Sequence, residues 1–252
     1  MPLTKGERQN LRRIHDEFES EVFKLGNKMI CGKYILPENT YIETSVFWYK
    51  NGIEQLKNKG SVGNKAIIDA GGYIGDSALV FSEFFNGDIY CFEAEENNFS
   101  NIHKVLQWNG VENVVPVNMA LMDRTGVVEF YPGKEDICDY NSIYQNNFGS
   151  YKEEKVEVPC ISIDDFVDKN NLEVGLIKAD VEGAEKKLIE GARNTIAKQH
   201  PTLIISIYHS IDDFFTVKPL IESIYNGYNM RIFRPVLQHS FLEETLLICE
   251  AG

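Results

Sequence analysis

The feature that most limits what this chain can fold into is a change of hydrophobic period at Lys65. From there on, short apolar runs alternate with stretches whose apolar residues recur at three and four positions, and glycine, asparagine or proline separates them. Ala66-Ile67-Ile68 opens the series, followed by a glycine-rich turn and a helical stretch from Asp76 to Phe85. Ile89 to Phe92, Val114 to Val117, Val127 to Tyr131, Val156 to Ile161, Gly175 to Ala179 and Leu203 to Ile207 read as further strands. The last is apolar almost throughout, as suits a central parallel strand covered on both faces. Phe99, Ile102, Val105 and Leu106 mark one intervening helix, and Ala184, Leu188, Ala192 and Ile196 mark another that ends at His200-Pro201. Met230 to Phe233 and Thr245 to Cys249 are placed to close the sheet as an antiparallel hairpin. Such alternation specifies a doubly wound α/β sheet, and ligands of these sheets bind at the carboxyl ends of the strands. Pro116 lacks the N–H that a ladder needs, so the third strand is expected at the sheet edge, as in the order 3-2-1-4-5.

The first 60 residues follow a different pattern. Thr4 to Glu7 reads as a capping box, and Leu11, Ile14, Phe18, Val22 and Leu25 then form one apolar stripe, which predicts a packing helix. Ser45 would cap a second helix carrying Tyr49, Ile53 and Leu56. Residues 1–60 are therefore expected to be a helical extension, with an aromatic cluster at Phe47, Trp48 and Tyr49 that could cover the site, and residues 61–252 to be the ligand-binding domain. Gly26 to Gly32-Lys33 has five residues between its glycines and Tyr34 where a phosphate loop needs Ser or Thr, so it is not one.

Composition narrows the partners. A net charge of -13 over 252 residues repels phosphate backbones and anionic lipid, which argues against nucleic acid and membrane surfaces. No apolar run approaches the roughly 18 to 20 residues that span a bilayer. The N-terminus lacks the apolar core of a secretory signal, so a cytoplasmic location is expected. Five widely spaced cysteines, with no zinc-type pairing, are expected to be reduced and mostly buried.

The chemistry concentrates at strand ends. Asp69-Ala70-Gly71-Gly72-Tyr73-Ile74-Gly75-Asp76 places an acid at the end of the first strand and then glycines four apart, which permit positive φ and close approach of backbone to a ligand. Tyr73 occupies the place of the second glycine in the dinucleotide fingerprint, so an adenosine ligand without a pyrophosphate fits better than NAD. Glu93 lies 24 residues beyond Asp69, at the end of the next strand, where a carboxylate can accept bonds from both ribose hydroxyls. Taken alone, the glycines could be a tight turn and Glu93 a solvated loop acid. The remaining strand ends offer Asn118 to Ala120, and Asp180 with His209 beyond it.

At this point the sequence resembles the FkbM-type family of class I S-adenosylmethionine-dependent methyltransferases. The most specific part is Leu176-Ile177-Lys178-Ala179-Asp180-Val181-Glu182-Gly183-Ala184-Glu185, with Gly191-Ala192 after it. The glycine turn, Tyr90 to Phe99, Val117 to Asp123 with Gly126, and Ser162 to Phe166 support it, as do Tyr208-His209, Asp212-Asp213, His239 and Glu244-Thr245. The resemblance implies a Rossmann-like sheet, mostly parallel, of seven strands, with S-adenosyl-L-methionine as cofactor and S-adenosyl-L-homocysteine as product. It also implies methyl transfer to an oxygen, often on a sugar or natural product. Asp69, Gly71, Gly72, Tyr73, Gly75, Asp76, Glu93, Ala94, Asn118, Met119, Ala120 and Asp180 are then the expected cofactor residues.

A hydroxyl acceptor benefits from a base, and Asp180, Glu182, His209 and His239 are the candidates; the catalytic set expected here is His209, Asp180 and Glu182, with neutral His209 slightly preferred as base. Asp180 and Glu182 would alternatively be helix-start acids favoured by the dipole, and His209 a histidine bonded to loop backbone. Asp180 would suit Mg²⁺, but no second ligand is evident, so the reaction is expected to proceed without metal. Lys178, inside an apolar strand, is expected to pair with an acid. Phe214-Phe215 are expected in the core, and Tyr140 and Tyr144 lie on a long polar stretch that could face an acceptor. Two rivals remain: a Rossmann oxidoreductase, disfavoured by the glycine spacing, and a noncatalytic binding subunit that keeps the fold. The acceptor's identity and whether the chain works as a homodimer are not legible.

Overall fold

The computed structural model describes residues 4–131, 155–235 and 244–252. Cys138, Tyr140, Tyr144 and His239 lie outside the described residues.

The chain starts with α1 (Lys5–Ser20), whose Leu11, Ile14 and Phe18 are buried as the stripe requires. The stripe does not continue as helix, which corrects the reading of this region as a purely helical extension. Beyond Ser20 the chain forms a small antiparallel meander, β1 (Val22–Leu25), β2 (Lys28–Cys31) and β3 (Tyr34–Pro37). Its two tight turns contain Gly26 and Gly32, both at positive φ, so the glycine pair is hairpin chemistry. Leu25 is 63% exposed, the mark of a face that continues no helix. The second expected helix is reduced to the single turn α2 (Thr44–Phe47), followed by 3₁₀ turns. Ser45 lies inside α2 and donates to Glu43, which occupies the cap position.

The large domain runs β4 (Ala66–Ala70), α3 (Asp76–Phe81), β5 (Ile89–Phe92), α4 (Glu96–Asn109) and β6 (Val114–Val117). Next come β7 (Ala120–Met122), β8 (Gly126–Phe130), β9 (Val156–Ser162), α5 (Ile163–Asn170) and β10 (Val174–Ala179). It ends with α6 (Glu185–Glu190), α7 (Arg193–Gln199), β11 (Thr202–Ser206), α8 (Ile211–Ile224), β12 (Tyr228–Phe233) and β13 (Leu246–Ala251). Among the described residues seven strands form one sheet in the order β12-β13-β11-β10-β4-β5-β6, parallel except for β13, which runs antiparallel to both β11 and β12. Pro116 lies on the edge strand β6, as expected. β7, β8 and β9 form a separate sheet of three strands. The helix expected from Ala184 to Ile196 is split at Gly191, where a Cβ would come within 2.0 Å of the Met122 carbonyl oxygen.

The two faces of the sheet hold separate cores, because successive strand side chains alternate. Ile67, Leu176, Ile204 and Ile248 face α3, α4 and the N-terminal segment. Ile68, Ile177, Leu203, Ile205 and Leu247 face the side of α5 to α8. Burial on both faces is why β4, β10 and β11 read as unbroken apolar runs. Among the described residues no helix is long and apolar enough to cross a membrane, and Cys31, Cys91, Cys160 and Cys249 are buried free thiols.

Candidate active site

The carboxyl ends of β4, β5, β10 and β11 converge on a cavity of about 510 Å³, within the usual range for small-molecule sites. The turn after β4 shapes one wall. Gly71 and Gly72 both donate their N–H to the Phe92 carbonyl, and Gly75 N–H closes the turn on Gly72 O at 2.6 Å. Only glycine fits at Gly71, where φ is +73° and a Cβ would lie 1.8 Å from the Asp180 carbonyl oxygen. Beneath the turn Asp69 is fully buried; it accepts the Ser77 hydroxyl at 2.6 Å and pairs with Lys178 at 3.3 Å. Lys178 also donates to Gly71 O at 2.8 Å, so the expected acid partner of this lysine is Asp69 and the pair holds the glycine turn from below.

Glu93 occupies the end of β5, 8% exposed. Its two oxygens accept the N–H groups of Tyr73 at 2.8 Å and Glu95 at 2.7 Å, which leaves each oxygen a further lone pair for a ligand. Burial pushes its carboxyl up to about 8, against the pull of those two N–H groups and of Lys178. Burial likewise raises Asp76 to about 6.

Of the expected cofactor residues, Gly71, Tyr73, Asp76, Glu93, Ala94, Met119, Ala120 and Asp180 line the cavity. Asp69, Gly72, Gly75 and Asn118 stand behind it: Asn118 donates to Glu93 O at 2.9 Å, and Gly72 and Gly75 pack on Cys91 and Ile102. The expected catalytic residues Asp180, Glu182 and His209 are brought together. His209 Nε2 lies 3.3 Å from Asp180 and 3.5 Å from Glu182, and Nδ1 lies 2.9 Å from Glu185. Burial alone would lower the imidazole pKa, but the three carboxylates Glu185, Glu182 and Asp180 raise it well above the ordinary value. The three carboxylates thus favour the protonated imidazole, which argues against its expected role as a neutral base.

Several lining residues were not among the expected site residues. Tyr41 and Glu43 come from the N-terminal segment, Ser77 from α3, and Tyr208 and Glu244 from either side of β11 and β13. Tyr208 OH lies 3.4 Å from Asp180 and 3.3 Å from Glu244. Burial first, and Asp180 second, raises Glu244 to about 7; burial and the neighbouring acids Glu244, Asp76 and Asp180 hold Glu43 well above the carboxylate range. Tyr73, Glu182 and Glu244 all adopt positive φ (46°, 52° and 61°), a strained backbone that concentrates at this cavity. Phe214 and Phe215 are 37% and 69% exposed, so the expectation of core packing fails for them: they sit on the outer side of α8, past its first turn.

The lining thus combines an apolar strip, including Met119, Leu121 and Met122, with six acids (Glu43, Asp76, Glu93, Asp180, Glu182, Glu244). It suits a flat apolar group, a diol and a positive charge. The model of the methyltransferase FkbM domain matches residues 69–251. A protein of Beauveria bassiana (strain ARSEF 2860) called Methyltransferase 1 is 27% identical over 186 residues, 67% of this chain and 74% of that one. Among solved structures, methyltransferase FkbM from Methylobacillus flagellatus KT superposes with a TM-score of 0.57 at 20% identity, over 82% of this chain and 48% of the other, so this chain spans about half of that protein. An rRNA methylase from Streptococcus thermophilus reaches a TM-score of 0.51 at 11% identity, over 84% and 99%. These two likenesses concern the fold alone.

Proposed function

The chain belongs to the methyltransferase FkbM family, and from that premise we propose that it is a cytoplasmic O-methyltransferase that uses S-adenosylmethionine and acts on a hydroxyl of a small molecule, a sugar or natural-product alcohol. The observation that carries the cofactor assignment is Glu93, a buried carboxylate with open lone pairs at the end of β5, directly beside the glycine turn of β4. The residues fit that cofactor: Glu93 for a ribose diol, the apolar strip for a purine, and the acidic lining for a sulfonium.

Bound there, S-adenosylmethionine supplies an electrophilic methyl group on a positively charged sulfur. The protein must hold the acceptor oxygen in line with it and keep water out. Asp180, with 22% of its side chain exposed, opens onto the cavity and takes the hydroxyl proton. His209 and Tyr208 fix the Asp180 carboxylate from two sides. Tyr41 and Glu43 close the acceptor side from the N-terminal segment.

Calorimetry tests the reading. S-adenosylhomocysteine should bind the wild type, and Glu93→Ala should weaken it by about 1 to 3 kcal/mol, the worth of hydrogen bonds to a charged group. Binding of NAD instead, or unchanged affinity in Glu93→Ala, would sink the assignment.

A further inference from the structure

Asp180, Glu185 and His209 have an arrangement that the methyl-transfer chemistry alone does not require. One donor atom of each lies within 4.8 Å of the other two. A first-row divalent ion held at about 2.0 to 2.2 Å by such ligands needs donor atoms no more than about 4.4 Å apart, so the three side chains close in by a few tenths of an ångström when it binds. Glu185 is fully buried and the His209 side chain is 7% exposed, yet Glu185 Oε2 and both ring nitrogens make no hydrogen bond. The contacts of the imidazole with its carboxylates are close but off the N–H directions. Glu185 Oε1, the oxygen nearest the ring, accepts the Val181 N–H at 3.0 Å, but both nitrogens of the buried imidazole and the second Glu185 oxygen stay without a hydrogen bond, an expensive arrangement unless something else satisfies them.

Charge points the same way. Asp180, Glu182 and Glu185 surround a single imidazole, and Tyr208 links Asp180 to a fourth acid, Glu244. The nearby lysines are engaged elsewhere, Lys178 with Asp69 and Lys186 with Asp212. One imidazolium leaves two of the three carboxylate charges uncompensated, whereas a divalent ion held by the neutral imidazole leaves only one.

We propose that Asp180, Glu185 and His209 form a binding site for one divalent metal ion of the Mn²⁺ or Zn²⁺ class, with Glu182 at its rim. Mixed carboxylate and imidazole donors suit these ions. The sequence shows no second ligand for Asp180; α6 and the segment after β11 supply them, through Glu185 and His209. On the O-methyl transfer reading, on which only this role depends, the ion orients the acceptor hydroxyl and lowers its pKa. A carboxylate has two oxygens, so ligation of Asp180 through one leaves the other for the proton.

The test is electron paramagnetic resonance of the full chain, freed of metal with a chelator and titrated with Mn²⁺ alone. The free-ion signal should vanish up to one equivalent, and the bound ion should show ¹⁴N modulation from His209. His209→Ala and Asp180→Asn should each weaken Mn²⁺ binding by about tenfold or more, with melting curves confirming that the variants are folded. The nitrogen modulation requires no variant, so it decides the matter if they do not fold. Absence of binding below about 1 mM, bound Mn²⁺ without nitrogen coupling, or affinity unchanged in both folded variants would overturn the proposal. Calorimetry with S-adenosylhomocysteine on the same samples separates the two claims: cofactor binding without Mn²⁺ rejects the metal site alone, and Mn²⁺ binding without the cofactor rejects the methyltransferase reading alone.

Discussion

Glu93 gives the sharpest expectation, because its role and its ionisation are tied together. In the unliganded protein burial pushes its carboxyl up to about 8, so at about pH 7.5 roughly three quarters of the molecules carry a proton there. Ribose hydroxyls that donate to it favour the charged form, so binding must expel that proton. If binding returns Glu93 to the ordinary carboxylate range, roughly 0.7 proton leaves per cofactor bound at about pH 7.5, and only about 0.1 at about pH 9, where the site is already ionised. Glu244, raised to about 7, and Glu43, held well above the carboxylate range, line the same cavity and also carry protons, so the share of Glu93 is read as the difference between the wild type and Glu93→Gln. The assay is titration calorimetry with S-adenosylhomocysteine in buffers of different ionisation enthalpy. The slope of observed against buffer enthalpy counts the protons released. Glu93→Gln keeps one acceptor oxygen but has nothing to release, so its slope should fall by the Glu93 share, to what Glu43 and Glu244 contribute. A slope near zero in the wild type, or an equal slope in Glu93→Gln, would refute the placement of Glu93 on the cofactor.

Four further outcomes follow from the same geometry. The unliganded protein should lose stability as pH rises from about 5 to 8. The folded state keeps protons on Asp76, Glu244, Glu93 and His209 that the unfolded chain has already released. Melting temperatures that stay level or rise over that window would contradict it. Lys178→Met leaves Asp69 charged and fully buried and should cost about 3 to 5 kcal/mol in urea unfolding; a loss under about 1 kcal/mol would mean that the pair is not structural. Gly71→Ala and Gly110→Ala both place a side chain at positive φ, but only the first meets backbone, the Asp180 carbonyl oxygen at 1.8 Å. Gly110→Ala should cost only the strain of about 1 to 2 kcal/mol, whereas Gly71→Ala should lose more stability and also cofactor affinity. Equal costs would show that the turn yields easily. Tyr41→Ala removes a half-exposed side chain of the cavity and should lower acceptor turnover while leaving melting temperature and S-adenosylhomocysteine affinity unchanged. Deletion of residues 1–60 is the wrong test of a cover, because Leu36, Val46, Phe47, Ile53 and Leu56 are core residues.

What the sequence disclosed and what it hid follow from the range of the interactions. Strand ends were legible because the period changes from 2 to 3.6 within a few residues, and Pro116 placed β6 at the edge by its missing N–H. The meander of residues 22–37 was hidden because Val22 and Leu25 continue the spacing of Phe18, so a strand and a helix share the same apolar positions there. β7 has three residues, too few to show a period. At the site, Asp180, Glu182 and His209 were legible as strand-end residues beside a family-like segment. Their ionisation was not, because the charge on His209 is set by Glu185, one helical turn away from the strand end and in a different element. Glu43 could not be found from a motif, since it lies before the region the family model matches.

The most direct test of the central claim is equilibrium dialysis of the purified chain against equal concentrations of S-adenosylhomocysteine and NAD, with the retained nucleoside identified by mass spectrometry after denaturation. Retention of S-adenosylhomocysteine at one per chain, reduced in Glu93→Ala, is the expected result. Retention of NAD in its place would contradict the account.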